Sequence, residues 1–327
     1  MDDPITYRYF SAALIGMWCL PFVVFFALSL FLARRKGDPA RVAVVWIKVL
    51  LPFATLYTIL VTISIASSIA LLKLPYSRYR APAVNRAEYA YISHLNRSTA
   101  YASYVSEGVT TALILFTFVE LGNGFMYALS GERTTRQRVF RYLSLIPALL
   151  VILIPLADTI YEHVALSRYN EDQINALNKL SLANVILRWI FTLPTVAYAA
   201  VAVHYCKAQP SVRGIAIQFL IATILMFARA TSTLIQLAVN LLDRFSESPE
   251  AAYYISPIFS YLTLGVAVTL LFVIAIRKKK GLWSTQKRLH DNIEAGGQAV
   301  QQQGYGEPAG WQPQQLQPVH QVKPPAY

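Results

Sequence analysis

Cysteine is scarce in this chain: Cys19 and Cys206 are the only two among 327 residues. Two thiols cannot build a disulfide framework, and no Cys/His spacing of the kind that grips a metal accompanies them. In the threading below they fall near opposite faces of a bilayer, so they are not expected to meet. Charge is scarce as well. Asp, Glu, Lys and Arg make up 14% of the sequence, where a soluble domain carries about 25%. Also missing is an internal repeat with matched broken helices, the mark of many secondary transporters. The first ten residues, MDDPITYRYF, hold too much acid for the n-region of a signal peptide, and no small-residue cleavage site follows, so the first apolar block is expected to stay in the mature protein.

What the chain has instead is apolar length. Hydrophobic residues are 55% of the total and are gathered into blocks of the length that crosses a bilayer, about 20 residues at 1.5 Å each. The blocks predict an all-α integral membrane bundle of seven transmembrane helices near residues 10–33, 43–72, 102–129, 142–164, 180–206, 213–241 and 252–276. Residues 1–280 would form this domain and 281–327 a disordered tail. The net charge of +12 does not imply nucleic acid, because the basic residues stand beside the apolar blocks, where they set orientation and meet anionic lipid. Arg34, Arg35, Lys36 and Arg41, then Arg133, Arg136, Arg138 and Arg141, then Lys207 and Arg213, then Arg277 to Lys280 mark the cytosolic side. The N-terminus is therefore expected outside and the C-terminus in the cytosol, in the endoplasmic reticulum, another endomembrane or the plasma membrane. The opposite connections are mixed or acidic, with Glu171 and Asp172, and Asp243, Glu247 and Glu250. The stretch 73–101 departs from this with five basic residues, and its five tyrosines suit the membrane interface. It contains the sequon Asn96-Arg97-Ser98, a candidate glycosylation site at Asn96 on the outer side or a chance match. Prolines 52, 147, 155, 194 and 257 should kink spans or end them.

A charge at membrane depth costs about 2.5–3.5 kcal/mol on insertion scales, so each needs a partner or a purpose. Helix four carries Asp158 and Glu162 four residues apart, with Tyr161 beside them; helix five carries Asn184, Arg188, Thr192 and Thr195 as one polar stripe. A matching stripe on helix six runs Arg229, Thr233, Gln236, Asn240, Asp243. Helix three adds Glu107 and Glu120, about 20 Å apart along its axis, which puts them in different sites. Glu120 is expected to pair with Lys48 of helix two. The rest converge in the outer half, where Glu107, Asp158 and Glu162 are candidate catalytic acids, and Arg188, Asn184, Arg229, Gln236, Asn240 and Tyr161 the candidate pocket. The competing expectation is purely structural, with Asp158–Arg188 and Glu107–Arg229 as buried pairs that fix packing. Two carboxylates within one turn of helix four exceed what a single arginine requires.

A carboxyl group beside another in a low-dielectric pocket can hold its proton at neutral pH and deliver it as a general acid. Aromatic walls stabilise cations, and the chain has 20 Tyr, 16 Phe and 5 Trp, of which Tyr101, Tyr104, Tyr161, Trp189, Tyr253, Tyr254 and Tyr261 lie near the acids in depth; an interfacial belt is the plainer role for most. On its size, span count, intramembrane acids and Gln/Pro-rich tail the chain resembles the fungal membrane-bound cyclases that close the terpene part of meroterpenoids of the ascochlorin and ascofuranone type. The resemblance implies protonation of a prenyl epoxide or alkene in a lipid-soluble substrate, then cationic ring closure, with no metal, no other cofactor and no pyrophosphate ionisation. The absence of a DDxxD-type cluster agrees with that. It transfers no catalytic residue, because no motif aligns. The alternative is a non-enzymatic seven-span receptor-like or lipid-handling protein; the segment FARATSTLIQ around Arg229 resembles the Arg-containing sixth helix of fungal lipid-stress membrane proteins.

From Gly281 the composition turns to Gln, Gly and Pro and cannot bury a core. Its last four residues, Pro324, Pro325, Ala326 and Tyr327, fit the PPxY pattern that WW domains read through polyproline geometry. The implied partner is a WW-containing ubiquitin ligase.

Overall fold

Inside a bilayer no water is present to satisfy a peptide group, so an apolar run closes its hydrogen bonds on itself as a helix. The computed structural model describes the backbone of residues 4–33, 41–74, 83–130, 134–168, 171–208, 210–242 and 250–277. Its helices are α1 (Pro4–Leu32), α2 (Ala43–Lys73), α3 (Ala83–Ser130), α4 (Thr135–Arg168), α5 (Glu171–Tyr205), α6 (Pro210–Leu242), α7 (Glu250–Pro257) and α8 (Thr263–Ile276). A π segment, Ile258–Leu262, joins α7 to α8 in one continuous rod. Seven helices of the described chain are long and apolar enough to cross a membrane, and among the described residues there is no strand. Serine and threonine hydroxyls turn back onto their own helices, as Thr55 does on the Leu51 carbonyl and Thr62 on that of Thr58, so they ask nothing of the lipid.

Neighbours in sequence pack as neighbours in space, and α3 also touches α5 and α6. Burial ranks the helices: 78% of the most apolar stretch of α3 is buried, against 17% for α1 and for α4. Helix α3 is thus the central post, and α1 and α4 face outward. The core gathers Ile47, Leu51 and Ala54 of α2, Ile114, Phe118 and Phe125 of α3, and Phe219 of α6 with Leu271 of α8. Two contacts fix which ends lie together. Phe10 near the start of α1 meets Tyr254 at the start of α7 edge to face at 5.7 Å. At the other end Arg41 Nη2 donates to the Ala275 carbonyl at 2.6 Å.

That second contact corrects an expectation. Arg41 is 2% exposed and is no solvated loop charge; it sits on the C-terminal carbonyls of α8, where a helix dipole favours a cation. A larger correction concerns residues 83–101. Helix α3 starts at Ala83 and runs 48 residues, about 72 Å, more than twice the ~30 Å of the hydrocarbon core. Its polar first half, expected as a separate segment before the third span, is one continuous helix with the apolar second half. Proline falls inside α1, α2, α4, α5 and α7, at Pro21, Pro52, Pro147, Pro155, Pro194 and Pro257. The expected acidic connection 243–249, the charges Arg34 to Lys36, Arg133 and Lys278 to Lys280, and the whole tail lie outside the described residues.

Candidate functional site

Glu107 is the hub of the membrane-depth polar residues. Its Oε1 takes Arg229 Nη2 from α6 at 2.6 Å and Arg188 Nη1 from α5 at 3.2 Å. Arg229 Nη2 also reaches Tyr57 Oη of α2 at 3.5 Å. One carboxylate thereby ties α3, α5 and α6, with α2 added through a phenol. The arginines are 13% and 7% exposed and Glu107 24%, so the pairs sit in weakly screening surroundings. Tyr261, in the π segment, lies within electrostatic reach of Glu107 and Arg229. A π segment re-aims side chains that a regular helix would carry round its axis, and such segments recur at functional sites.

A relay of hydrogen bonds leads from this hub to α4. Arg188 Nε donates to Asn184 Oδ1 at 3.2 Å, Asn184 Nδ2 donates to Tyr104 Oη at 2.9 Å, and Tyr104 Oη donates to Asp158 Oδ2 at 3.0 Å. The guanidinium of Arg188 also stands 6.0 Å over the Tyr104 ring, at the edge of cation–π range. The expected Glu107–Arg229 pair is present. The Asp158–Arg188 pair is not direct, because Tyr104 and Asn184 stand between them and Arg188 spends its charge on Glu107. Glu162, one turn beyond Asp158, is within electrostatic reach of both Asp158 and Tyr101.

Other residues of the expected pocket go elsewhere. Tyr161 is 37% exposed and makes no part of the hub. Gln236 turns away to α7, accepting from Ser256 Oγ at 3.0 Å while donating to Ser232 at 3.3 Å. The side chain of Asn240 lies outside the described residues, as do Pro324, Pro325 and Tyr327. Asn96 is in mid-helix on α3, where its Oδ1 accepts from Ser67 at 3.1 Å and from Ser64 at 3.3 Å, both on α2. Glu120 does not take Lys48. It pairs with Arg141 of α4 at 2.7 Å. Counting back 10 residues from the end of α3 and forward 6 from the start of α4 leaves a depth gap of about 6 Å, which the long arginine stem spans across the antiparallel pair.

The hub borders a cavity of ≈ 30 Å³, lined by Thr111, Thr192, Met226 and Thr233 besides Glu107 and the two arginines. This is room for one or two waters, and Thr111 Oγ1 and Arg188 Nη2 both border it with no protein partner among the described residues. Known small-molecule sites run to about 300–1,000 Å³. Sequence reasoning missed Tyr57, the single phenol of α2; the signal that can find it is the surplus of two arginines over one nearby acid, which calls for a further acceptor. Among the described residues no group of His, Cys, Asp and Glu is placed to hold a metal. Comparison with protein-family models, with curated proteins and with solved structures finds no match for this chain.

Proposed function

We propose that this chain is a non-enzymatic seven-span membrane protein, receptor-like or lipid-handling, in which the Glu107 hub latches the bundle in one of two arrangements. The observation that carries this is a single carboxylate held by guanidinium groups from two other helices beside a cavity of ≈ 30 Å³. That space is about a tenth of the smallest ordinary ligand site, so the hub as it stands joins helices and does not enclose a substrate. With two cations sharing one anion, either pair can open while the other persists, which is what a discrete two-state element requires. Orientation follows from the basic α3–α4 connection and the Arg277–Lys280 run, which favour a cytosolic C-terminus.

Arg188→Gln tests the latch, because it removes the Arg188–Glu107 pair between α5 and α3 and leaves the Glu107–Arg229 pair. Spin labels at Val139 on α4 and Tyr205 on α5, both exposed, report the spacing of the helices at one end of the bundle by pulsed electron resonance in nanodiscs. A second distance population is expected in the variant. One unchanged distance with only a lower melting temperature would sink the latch and leave a static brace.

A terpene cyclase is the second reading, and Asp158 favours it: the group is 7% exposed, with a phenol donor on one oxygen and Glu162 one turn away. Microsomes given a farnesylated phenol epoxide would yield cyclic product by mass spectrometry, and Asp158→Asn would lower that yield about 10²- to 10⁴-fold. No cyclic product from intact protein removes this reading. The terminal Pro324-Pro325-Ala326-Tyr327 remains a proposed WW-domain ligand; deleting it should slow removal of the protein from the membrane, and an unchanged half-life together with no WW-domain pull-down would reject it.

A further inference from the structure

A second cavity lies about 20 Å along α3 from Glu107, toward the C-terminal end of that helix. It measures ≈ 300 Å³ and opens between the last turns of α3 and the first of α4, lined by Glu120, Asn123, Gly124, Gln137, Arg138, Arg141 and Tyr142. We propose that this pocket binds the phosphate headgroup of an anionic membrane lipid. The site goes beyond the latch reading and does not depend on it.

The pocket is built, not merely left over. Thr134 and Gln137 close the start of α4 reciprocally, the Thr134 N–H donating to Gln137 Oε1 at 3.2 Å and the Gln137 N–H to Thr134 Oγ1 at 3.4 Å, a capping box that fixes the first turn. Arg141 is held by its Nε on Glu120 at 2.7 Å, one of the five donors of its fork. Tyr198 of α5 donates to Asn123 Oδ1 at 2.8 Å, which occupies that oxygen and turns the amide into a donor toward any further ligand. Tyr198 comes this close because Gly122 has no side chain; a Cβ there would meet the phenol ring. The polar lining thus holds two guanidiniums against one carboxylate, with amide and phenol donors around them, which suits a phosphate monoester. Basic pockets between membrane helices on the cytosolic side take such headgroups.

The lipid source is favoured over free phosphate by what lies next along α4. Val139, Tyr142, Leu143 and Ile146 are 59%, 69%, 57% and 58% exposed, so an apolar surface suited to an acyl chain begins at the mouth of the pocket. Arg138 is exposed on the first turn, at the depth where a headgroup meets the interface.

The test uses the full chain in phosphatidylcholine nanodiscs, with phosphatidic acid added in one arm and soluble glycerol phosphate in another, retained lipid being read by native mass spectrometry. Phosphatidic acid should be retained over phosphatidylcholine, and glycerol phosphate should not displace it. Arg138→Gln should weaken retention about five-fold, the worth of one arginine near an anionic surface. Arg138→Lys should restore most of it, and Arg277→Gln, a charge at the same end of the bundle outside the pocket, should change nothing. Equal loss from Arg277→Gln and Arg138→Gln would show general surface attraction and overturn the pocket. No preference for phosphatidic acid would do the same. Binding of glycerol phosphate as tight as that of the lipid would make this a site for a soluble phosphate and overturn the lipid assignment.

Discussion

A guanidinium pair sharing one acid behaves asymmetrically when cut. Removing Glu107 leaves Arg188 and Arg229 facing each other at membrane depth, whereas removing Arg229 leaves the Glu107–Arg188 contact at 3.2 Å. Breaking a buried pair by one partner costs about 3–5 kcal/mol, and Glu107→Gln should sit at the upper end of that range with Arg229→Gln below it. Thermal unfolding in detergent would show the order, and Glu107→Gln combined with Arg188→Gln should recover part of the loss because one stranded cation is gone. A lower melting temperature for Arg229→Gln than for Glu107→Gln would contradict the shared-carboxylate picture. Cys206 makes a second prediction. It is free and buried in the bundle core, where a reagent dissolved in water does not reach its sulfur. A water-soluble maleimide should therefore leave Cys206 unlabelled until the protein is denatured. Rapid labelling of the folded protein would mean the end of α5 opens to solvent.

The close approach of α3 to α4 at Gly108 needs a missing side chain. A Cβ on Gly108 would stand 2.9 Å from the Val151 carbonyl oxygen and 3.0 Å from Pro155 Cγ, so α4 must move before even alanine fits. Gly108→Ala should cost about 1–3 kcal/mol, the usual range for overpacking, seen as a lower melting temperature. Gly214, with nothing within 4 Å of its Cβ position, is the control: Gly214→Ala should be neutral or raise stability, since alanine favours the helix. Equal effects at the two positions would mean that the α3–α4 contact is looser than described. The same comparison shows what a sequence leaves unsaid about an element. That α3 is a helix is legible in its apolar run, but its extension back to Ala83 is not, because polar residues such as Asn85, Arg86 and Glu88 look like a loop until packing is known. The bonds from Ser64 and Ser67 to Asn96 tie that polar half to α2.

Across the whole molecule, seven crossings would place the two ends of the described chain on opposite sides, and the positive-inside rule predicts which side each takes. A reporter after Tyr327 should be cytosolic and one before Met1 outside; protease protection of the C-terminal tag in sealed microsomes, whose cytosolic face is outward, would reverse the orientation. Number of spans, their approximate positions and the list of intramembrane polar residues were all decided by sequence, since hydrocarbon admits only long apolar helices and penalises each stray charge wherever it stands. Partner choice was decided by tertiary structure. Arg229 finds Glu107 as the depths suggest, but Glu120 takes Arg141 over Lys48, Asp158 meets Tyr104 and not Arg188, and Gln236 leaves the stripe for Ser256. Depth along a helix follows from residue number at a fixed rise, whereas the facing of one helix toward another depends on rotation, tilt and the small residues that let backbones approach, and those are settled only when all seven pack together.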